Sequence, residues 1–375
     1  MIYRDFKGKK LSALGMGTMR LPCREDKTID VESTREMVDY AIKNGVNYFD
    51  TAWGYHEGTS ESVIGEILSA YPRESFYLAT KFPGYSVDNF PKCQEIFYEQ
   101  LKKLKTDYFD FYLLHCIAES NIEAYLDEKY GIFPFLLEQK RLGKIKHIGF
   151  SVHASLETTK RFLDKWGEHI EFCQVQLNYL DYTFQNAKAK LNLLKSLDIP
   201  VWVMEPVRGG SLAVLDDEYM SRLKALRPDE SAPAWAFRFI QSIPEVVMTL
   251  SGMSNFEQMS ENVRIFSEDK PVNDKEKKVL FDIAHDMVKK ISQPCTACRY
   301  CTQYCPKGLD IPSLLSLYNE HAFTGDDGFI SPAVLEKVDL DKRPNNCIGC
   351  KSCEKVCPQE IKISKVMTDF TARIR

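Results

Sequence analysis

No apolar run in this sequence is long enough to cross a bilayer. Neither charge sign is in excess: 49 Lys and Arg stand against 53 Asp and Glu, a formal net charge of −4. That balance argues against a nucleic-acid or anionic-membrane partner. The polar start, MIYRDFKGKKLSALGMG, lacks the apolar centre of a secretory signal. A soluble, cytoplasmic chain is therefore expected. No G-x-G-x-x-G turn is present, which disfavours a doubly wound dinucleotide fold. Low-complexity tracts and flavin fingerprints are missing too.

Cysteine, by contrast, is plentiful. Of the 12, eight fall in two runs, CTACRYCTQYCP (295–306) and CIGCKSCEKVCP (347–358). With no export signal, clustered thiols point to metal rather than disulfides. The other four, Cys23, Cys93, Cys116 and Cys173, read as packing residues.

The first three-quarters of the chain alternates short β-branched or aromatic runs with longer amphipathic stretches. Strands are expected near 11–16, 46–50, 76–81, 108–115, 144–151, 172–177, 200–205 and 246–251. Helices are expected near 33–44, 60–70, 91–105, 121–142, 155–166, 184–196, 212–225, 255–268, 271–292 and 312–322. Eight strands with helical connections predict an α/β fold, a (β/α)8 TIM barrel, and the two C-x2-C-x2-C-x3-C-P runs after it resemble a small, mainly helical ferredoxin-like iron–sulfur domain. The boundary falls near 285–292, giving domains 1–285 and 286–375.

In such a barrel, reactive groups belong at the C-terminal strand ends. Asp50, Lys81 and His115 end three successive strands, and Tyr55 lies in the loop after the first of them. An ammonium beside a phenol lowers its pKa, and a carboxylate fixes the ammonium. Histidine can orient a carbonyl oxygen or share the proton transfer. The bland alternative is an Asp50–Lys81 salt bridge beside an unrelated tyrosine and histidine.

The stretches FDTAWGYHEGTSESVIGEIL (49–68), LATKF (78–82), YFDFYLLH (108–115), IGFS (148–151) and SENVRIF (260–266) resemble the aldo/keto reductase family over roughly residues 1–270. The resemblance implies a nicotinamide cofactor, NADP or NAD, and a small carbonyl or alcohol substrate. It implies a catalytic tetrad of Asp50, Tyr55, Lys81 and His115, with Tyr55 as general acid. For the nucleotide it implies Gly17, Thr18 and Met19 after the first strand, and Ser151 and Gln174 at the carboxamide. Met204 stands where an aromatic residue often stacks, followed by Pro206, Gly209 and Ser211 in a phosphate-contacting loop. Gly252, Ser254, Gln258, Glu261 and Asn262 complete the adenine end. Val152 replaces the usual Asn after Ser151, and Gly252 and Gln258 replace cations that commonly hold a 2′-phosphate. Arg208 is read either as an electrostatic substitute for those cations or as a surface salt bridge. Arg20 and Trp53 are expected near the barrel mouth.

Each cysteine run has C-x2-C-x2-C-x3-C-P spacing, the bacterial pattern for [4Fe–4S] ligation, with zinc as the rival. In that pattern the fourth cysteine of a run reaches the other cluster. Two [4Fe–4S] clusters are expected, one on Cys295, Cys298, Cys301 and Cys357, the other on Cys347, Cys350, Cys353 and Cys305. A ferredoxin-like electron-transfer partner follows if the clusters are redox-active; the alternative is a structural or partner-docking module. A flavin would bridge two-electron and one-electron chemistry, but no motif supports one.

Overall fold

A computed structural model of the chain describes residues 1–295, 298–325 and 330–374. Eight parallel strands close into a barrel. They are β3 (Leu14–Gly17), β4 (Tyr48–Asp50), β5 (Tyr77–Phe82), β6 (Phe109–Ile117), β7 (Ile145–Val152), β8 (Phe172–Gln176), β9 (Val201–Met204) and β10 (Val246–Gly252). All eight fall on segments expected to be strands. The expected 11–16 strand is divided, because residues Lys9–Ser12 (β2) pair antiparallel with Tyr3–Phe6 (β1).

That hairpin delivers Phe6, 3% exposed, into an aromatic cluster with Phe111, Phe172 and Trp202. Ring centroids of Phe6 lie 5.6 Å from Phe111 and 5.0 Å from Trp202. Strand β7 passes this cluster closely: a Cβ at Gly149 would stand 2.4 Å from the Phe172 ring. Only glycine fits there without displacing a core ring.

Glu171 ties the hairpin to the barrel wall. It accepts from Lys7 Nζ (2.6 Å), Lys140 Nζ (2.5 Å), His147 Nδ1 (2.9 Å) and the Ile148 amide (3.2 Å). Burial alone would push its carboxyl up, but the hydrogen bonds from His147, Lys140 and Lys7 together hold it well below the usual range. A depressed folded pKa contributes stability above the unfolded value, near 4.3, that is lost as pH falls below it. Glu171→Gln should therefore destabilise by about 1 kcal/mol at pH 7, the lysines being water-screened. Thermal melts of variant and wild type should converge toward pH 3; an equal gap at both pH values would contradict the assignment.

Several helices differ from expectation. The 121–142 stretch breaks into Ile122–Leu126, Glu128–Tyr130 and Ile132–Arg141, with Gly131 at φ +62° between the last two. The 212–225 helix shortens to Asp217–Lys224, and Ala232–Gln241 is an additional helix. Of the lone cysteines, Cys93 and Cys173 are buried as packing residues, Cys116 is half-buried, and Cys23 is exposed, contrary to its reading. The Cys23 thiol bonds the Leu21 carbonyl at 3.4 Å.

The chain resolves into two compact units, Met1–Pro206 with Pro233–Asp274, and Val207–Ala232 with Lys275–Arg375. The boundary expected near 285–292 lies within the helix Asp274–Ile291. In the second unit the helices Asp217–Lys224, Ile311–Thr324, Ile330–Glu336 and Ile363–Arg373 accompany it. Leu309, Ile311, Leu314, Leu315, Ile363, Val366, Met367 and Phe370 form an apolar core around Cys301 and Cys353. The helix Ile330–Glu336 precedes the second cysteine run, and residues 326–329 lie outside those described. No helix among the described residues is long and apolar enough to cross a membrane.

Candidate active site and iron–sulfur centres

Strands β4, β5 and β6 lie side by side in the barrel, so Asp50, Lys81 and His115 emerge from neighbouring strand ends. Lys81 is fully buried. Its Nζ donates to Asp50 Oδ1 at 2.5 Å, to the Thr51 carbonyl at 2.8 Å and to the Tyr55 hydroxyl at 3.4 Å. Burial works against the Lys81 charge, yet Asp50 and then Tyr55 outweigh it and keep the ammonium's pKa above its ordinary value. Burial pushes the Asp50 carboxyl up against the pull of Lys81. At this separation the ion pair persists, and Lys81 stays charged.

Tyr55 does not follow the expected direction. Burial raises its pKa more than Lys81 lowers it. The phenol therefore keeps its proton at neutral pH, as a donor must. Its ring lies edge-on to His115, centroids 6.0 Å apart. Burial, then Lys81 and His153, hold His115 well below its usual pKa, so it is neutral.

A register shift between Leu114 and Ile117 carries His115 and Cys116. Cys116 has φ +59°, and its amide donates to Ser151 Oγ at 2.8 Å while Asn121 Nδ2 bonds its carbonyl at 2.7 Å. Such a bulge re-aims a side chain at a strand end. Ser151 thus accepts from Cys116, which leaves its hydroxyl proton to donate. Gln174, beside Ser151 in the β7–β8 register, is 4% exposed. Its Oε1 has no hydrogen-bond partner among the described residues, a buried acceptor suited to a carboxamide N–H.

Behind Lys81 lies a buried polar network that sequence reading missed. Gln100 Nε2 donates to the Lys81 carbonyl (2.9 Å) and to Glu61 Oε1 (2.7 Å). Thr80 Oγ1 also donates to Glu61 Oε1 at 2.7 Å, and Tyr112 OH donates to Gln100 Oε1 at 2.7 Å. Buried polar residues inside otherwise ordinary helix and strand patterns are the only sequence signal for it.

The other expected nucleotide residues are placed unevenly. Gly17 ends β3, and Met19 is exposed. The Thr18 side chain is wholly buried, with Oγ1 2.9 Å from Ser60 Oγ. Met204 ends β9, followed by buried Pro206. Gly252 is exposed at the end of β10, where a Cβ would meet Arg20 at 3.2 Å. Ser254 Oγ donates to the Arg20 carbonyl at 3.0 Å, and the Ser254 amide donates to Gln258 Oε1 at 2.8 Å. Glu261 is half-buried, and buried Asn262 donates to Ser251 Oγ at 3.0 Å. Trp53 lies under Lys103 Nζ, 3.8 Å from the ring centroid.

Gly209 and Ser211 belong to the second unit, as does Arg208. Arg208 is neither a free cation nor a surface salt bridge: it is 1% exposed and donates to Glu320 Oε2 at 2.7 Å.

The eight clustered thiols form two sets. Cys295, Cys298, Cys301 and Cys357 line one pocket with Pro312, Leu315 and Ile361. Cys305, Cys347, Cys350 and Cys353 line another with Leu309, Ile311 and Met367. Each set thus joins three thiols of one run to the last thiol of the other. Burial, then Cys295, Cys357 and Cys298, raise the Cys301 thiol; burial, then Cys347 and Cys305, push Cys353 up to about 11. Like-charge repulsion among gathered thiols is what a bound cation relieves. Apolar walls and a four-thiolate donor set fit an iron–sulfur cluster.

Comparison with known proteins agrees with this architecture. The model of the aldo/keto reductase family matches residues 13–279, and that of the 4Fe-4S dicluster domain matches 294–363. A probable aldo-keto reductase 1 of Glycine max is 31% identical over 163 residues, 41% of this chain and 45% of that protein. The match therefore spans less than half of that relative. An uncharacterized oxidoreductase of Bacillus subtilis, YqkF, is 26% identical over 284 residues, 68% of this chain and 87% of its own. An aldo-keto reductase from Klebsiella pneumoniae in complex with NADPH shares the fold, with TM-score 0.59 at 18% identity, covering 76% of this chain and 96% of that one. The chain is an oxidoreductase that belongs to the aldo/keto reductase family and carries a 4Fe-4S dicluster domain.

Proposed function

We propose that the barrel reduces a small carbonyl, or oxidises the corresponding alcohol, with a nicotinamide nucleotide and Tyr55 as the proton donor. The observation that carries this reading is the Tyr55 hydroxyl, 3.4 Å from a Lys81 ammonium that Asp50 fixes at 2.5 Å. When bound, NADP or NAD supplies or accepts the hydride. Ser151 and Gln174 would hold its carboxamide, through the serine proton and the unpartnered Gln174 Oε1. Neutral His115 orients the carbonyl oxygen without placing a second cation beside Lys81. Tyr55 then delivers its phenolic proton to that oxygen. Lys81 stabilises the phenolate left behind, and Asp50 keeps the ammonium from swinging away. The Gln100–Glu61 network holds the Lys81 backbone in register for that contact.

The tail would hold two [4Fe–4S] clusters in the crossed thiol sets. Bound clusters would supply one-electron transfer, to or from the barrel's chemistry or an external ferredoxin-like partner. A structural role is the second reading, favoured by the packing of Cys301 and Cys353 within the tail's apolar core. Incubating the protein with a carbonyl panel and nucleotide deuterated at C4 tests the barrel assignment. Deuterium at the product's carbinol carbon is the expected result; nucleotide consumed without deuterium transfer would remove it.

A further inference from the structure

We infer that the face around Cys347, Cys350 and Cys353 is a docking surface for an acidic one-electron carrier protein, with Lys307 and Lys351 as its attracting charges. The inference rests on the electron-transfer reading above and adds which thiol set the partner meets and the sign of charge it carries.

The two thiol pockets differ in charge. Each run places a basic residue directly after its second cysteine, in left-handed backbone geometry: Arg299 at φ +63° and Lys351 at φ +61°. Arg299 is compensated, its Nη2 lying 3.4 Å from Asp310 Oδ2. Lys351 is not. It lines the second pocket with Lys307, and neither lysine forms an ion pair among the described residues. The segments 305–309 and 347–357, which supply this thiol set, hold Lys307, Lys351 and Lys355 against one acid, Glu354. Glu354 is engaged at the start of the last helix, where it accepts from the Ser364 amide at 2.8 Å and the Ser364 hydroxyl at 2.5 Å. Lys342 donates to the Lys307 carbonyl at 3.0 Å but stands 3.5 Å from Asp341, so it adds little net charge.

The middle of this face is open and apolar. Ile348 is 60% exposed, Cys350 is exposed, and nothing lies within 4 Å of a Cβ built at Gly349. An apolar centre beside uncompensated charge is the anatomy of a protein interface, the charge setting encounter and orientation. The chain as a whole carries −4. Attraction for an acidic partner is therefore local to these lysines, with a reach of about 10 Å at 0.1 M salt. Nucleic acid or an anionic lipid surface would feel the same charges. An exposed thiol of the cluster set between them favours a partner that exchanges electrons. A reduced carrier docked there would pass one electron to the cluster and be oxidised itself, with no proton or group transferred. The first run offers an acidic partner less, since its one cation, Arg299, is paired.

The test is made on the full chain, purified anaerobically with iron per chain counted, with an acidic plant-type [2Fe–2S] ferredoxin as the probe. Calorimetry reads the Kd rather than a rate, because a charge changed beside a cluster also moves its potential. Raising ionic strength from about 0.05 M to about 0.3 M should weaken wild-type binding. Lys307→Glu combined with Lys351→Glu should raise the Kd about tenfold. Arg299→Glu, at the matching position of the first run, should leave it near wild type. Should the double variant load iron poorly, Lys307→Glu with Lys355→Glu asks the same question. Unchanged affinity in an iron-loaded double variant, or an equal loss in Arg299→Glu, would overturn the inference. Tighter binding of a basic c-type cytochrome, a phosphatidylglycerol vesicle or a DNA oligonucleotide than of the ferredoxin would overturn it too. Reduced methyl viologen separates this from the reading beneath it. Clusters that the dye reduces in a chain that does not bind ferredoxin would remove the docking face alone. Clusters that the dye leaves oxidised would remove the electron-transfer reading, and this inference with it.

Discussion

Replacing Tyr55 with Phe is expected to lower carbonyl reduction by about 10²- to 10⁴-fold, the usual share of a positioned proton donor. Nucleotide affinity and iron content should be unchanged. The substitution removes one hydroxyl from a ring that packs edge-on to His115 at 6.0 Å, so packing survives. What is lost is the proton held above Lys81. Because burial keeps the phenol protonated, the wild-type rate of reduction should not fall as pH rises through neutrality. A rate governed by ordinary histidine titration would fall near pH 6.5. Burial keeps His115 neutral already at that pH. Steady-state kinetics of variant and wild type from pH 6 to 9 check both points. Retained activity in the Phe variant would remove Tyr55 from the role.

The second large effect concerns the thiol sets. Cys357 stands in the second run but lines the cavity of Cys295, Cys298 and Cys301. Cys357→Ser should therefore cost the cluster of the first run, lowering iron from about eight to about four atoms per chain. Doubling the substitution identifies which cluster was lost, because residues acting on one site are not additive. Cys357→Ser with Cys295→Ser should lose no more iron than either alone, whereas Cys357→Ser with Cys347→Ser should lose nearly all of it. Since Cys301 and Cys353 belong to the tail's apolar core, the double loss should also unfold that unit. Iron analysis with circular dichroism reads both effects. The opposite pattern of iron loss would assign each run its own cluster.

Much of this was readable because it obeys short-range rules. Strand ends follow from β-rich runs, so Asp50, Lys81 and His115 could be placed at one end of a barrel. Cysteine spacing is local, and so carried the metal reading. What was not readable depends on direction or distance. Whether Thr18 faces a ligand or Ser60 is a matter of side-chain orientation, which position in a motif does not reveal. The β6 bulge that aims His115 has no sequence signature. Arg208 meets Glu320, 112 positions away, and no local pattern announces such a pair. The balance that keeps Tyr55 protonated depends on burial, which sequence spacing does not measure. The break in the 121–142 helix was legible in principle, since Gly131 marks it.

On the proposed function, one chain would join hydride chemistry to single-electron clusters. The most direct measurement runs the exchange both ways in the anaerobic, cluster-loaded protein. Reduced nucleotide is added to oxidised clusters, and oxidised nucleotide to pre-reduced clusters, each with and without free flavin as an electron splitter. Cluster absorbance and electron paramagnetic resonance are followed together with nucleotide absorbance. Whatever the cluster potentials, one direction runs downhill. Electron exchange in that direction is the predicted result. No exchange in either, with flavin present, would contradict the coupling and leave the clusters as a structural or docking module.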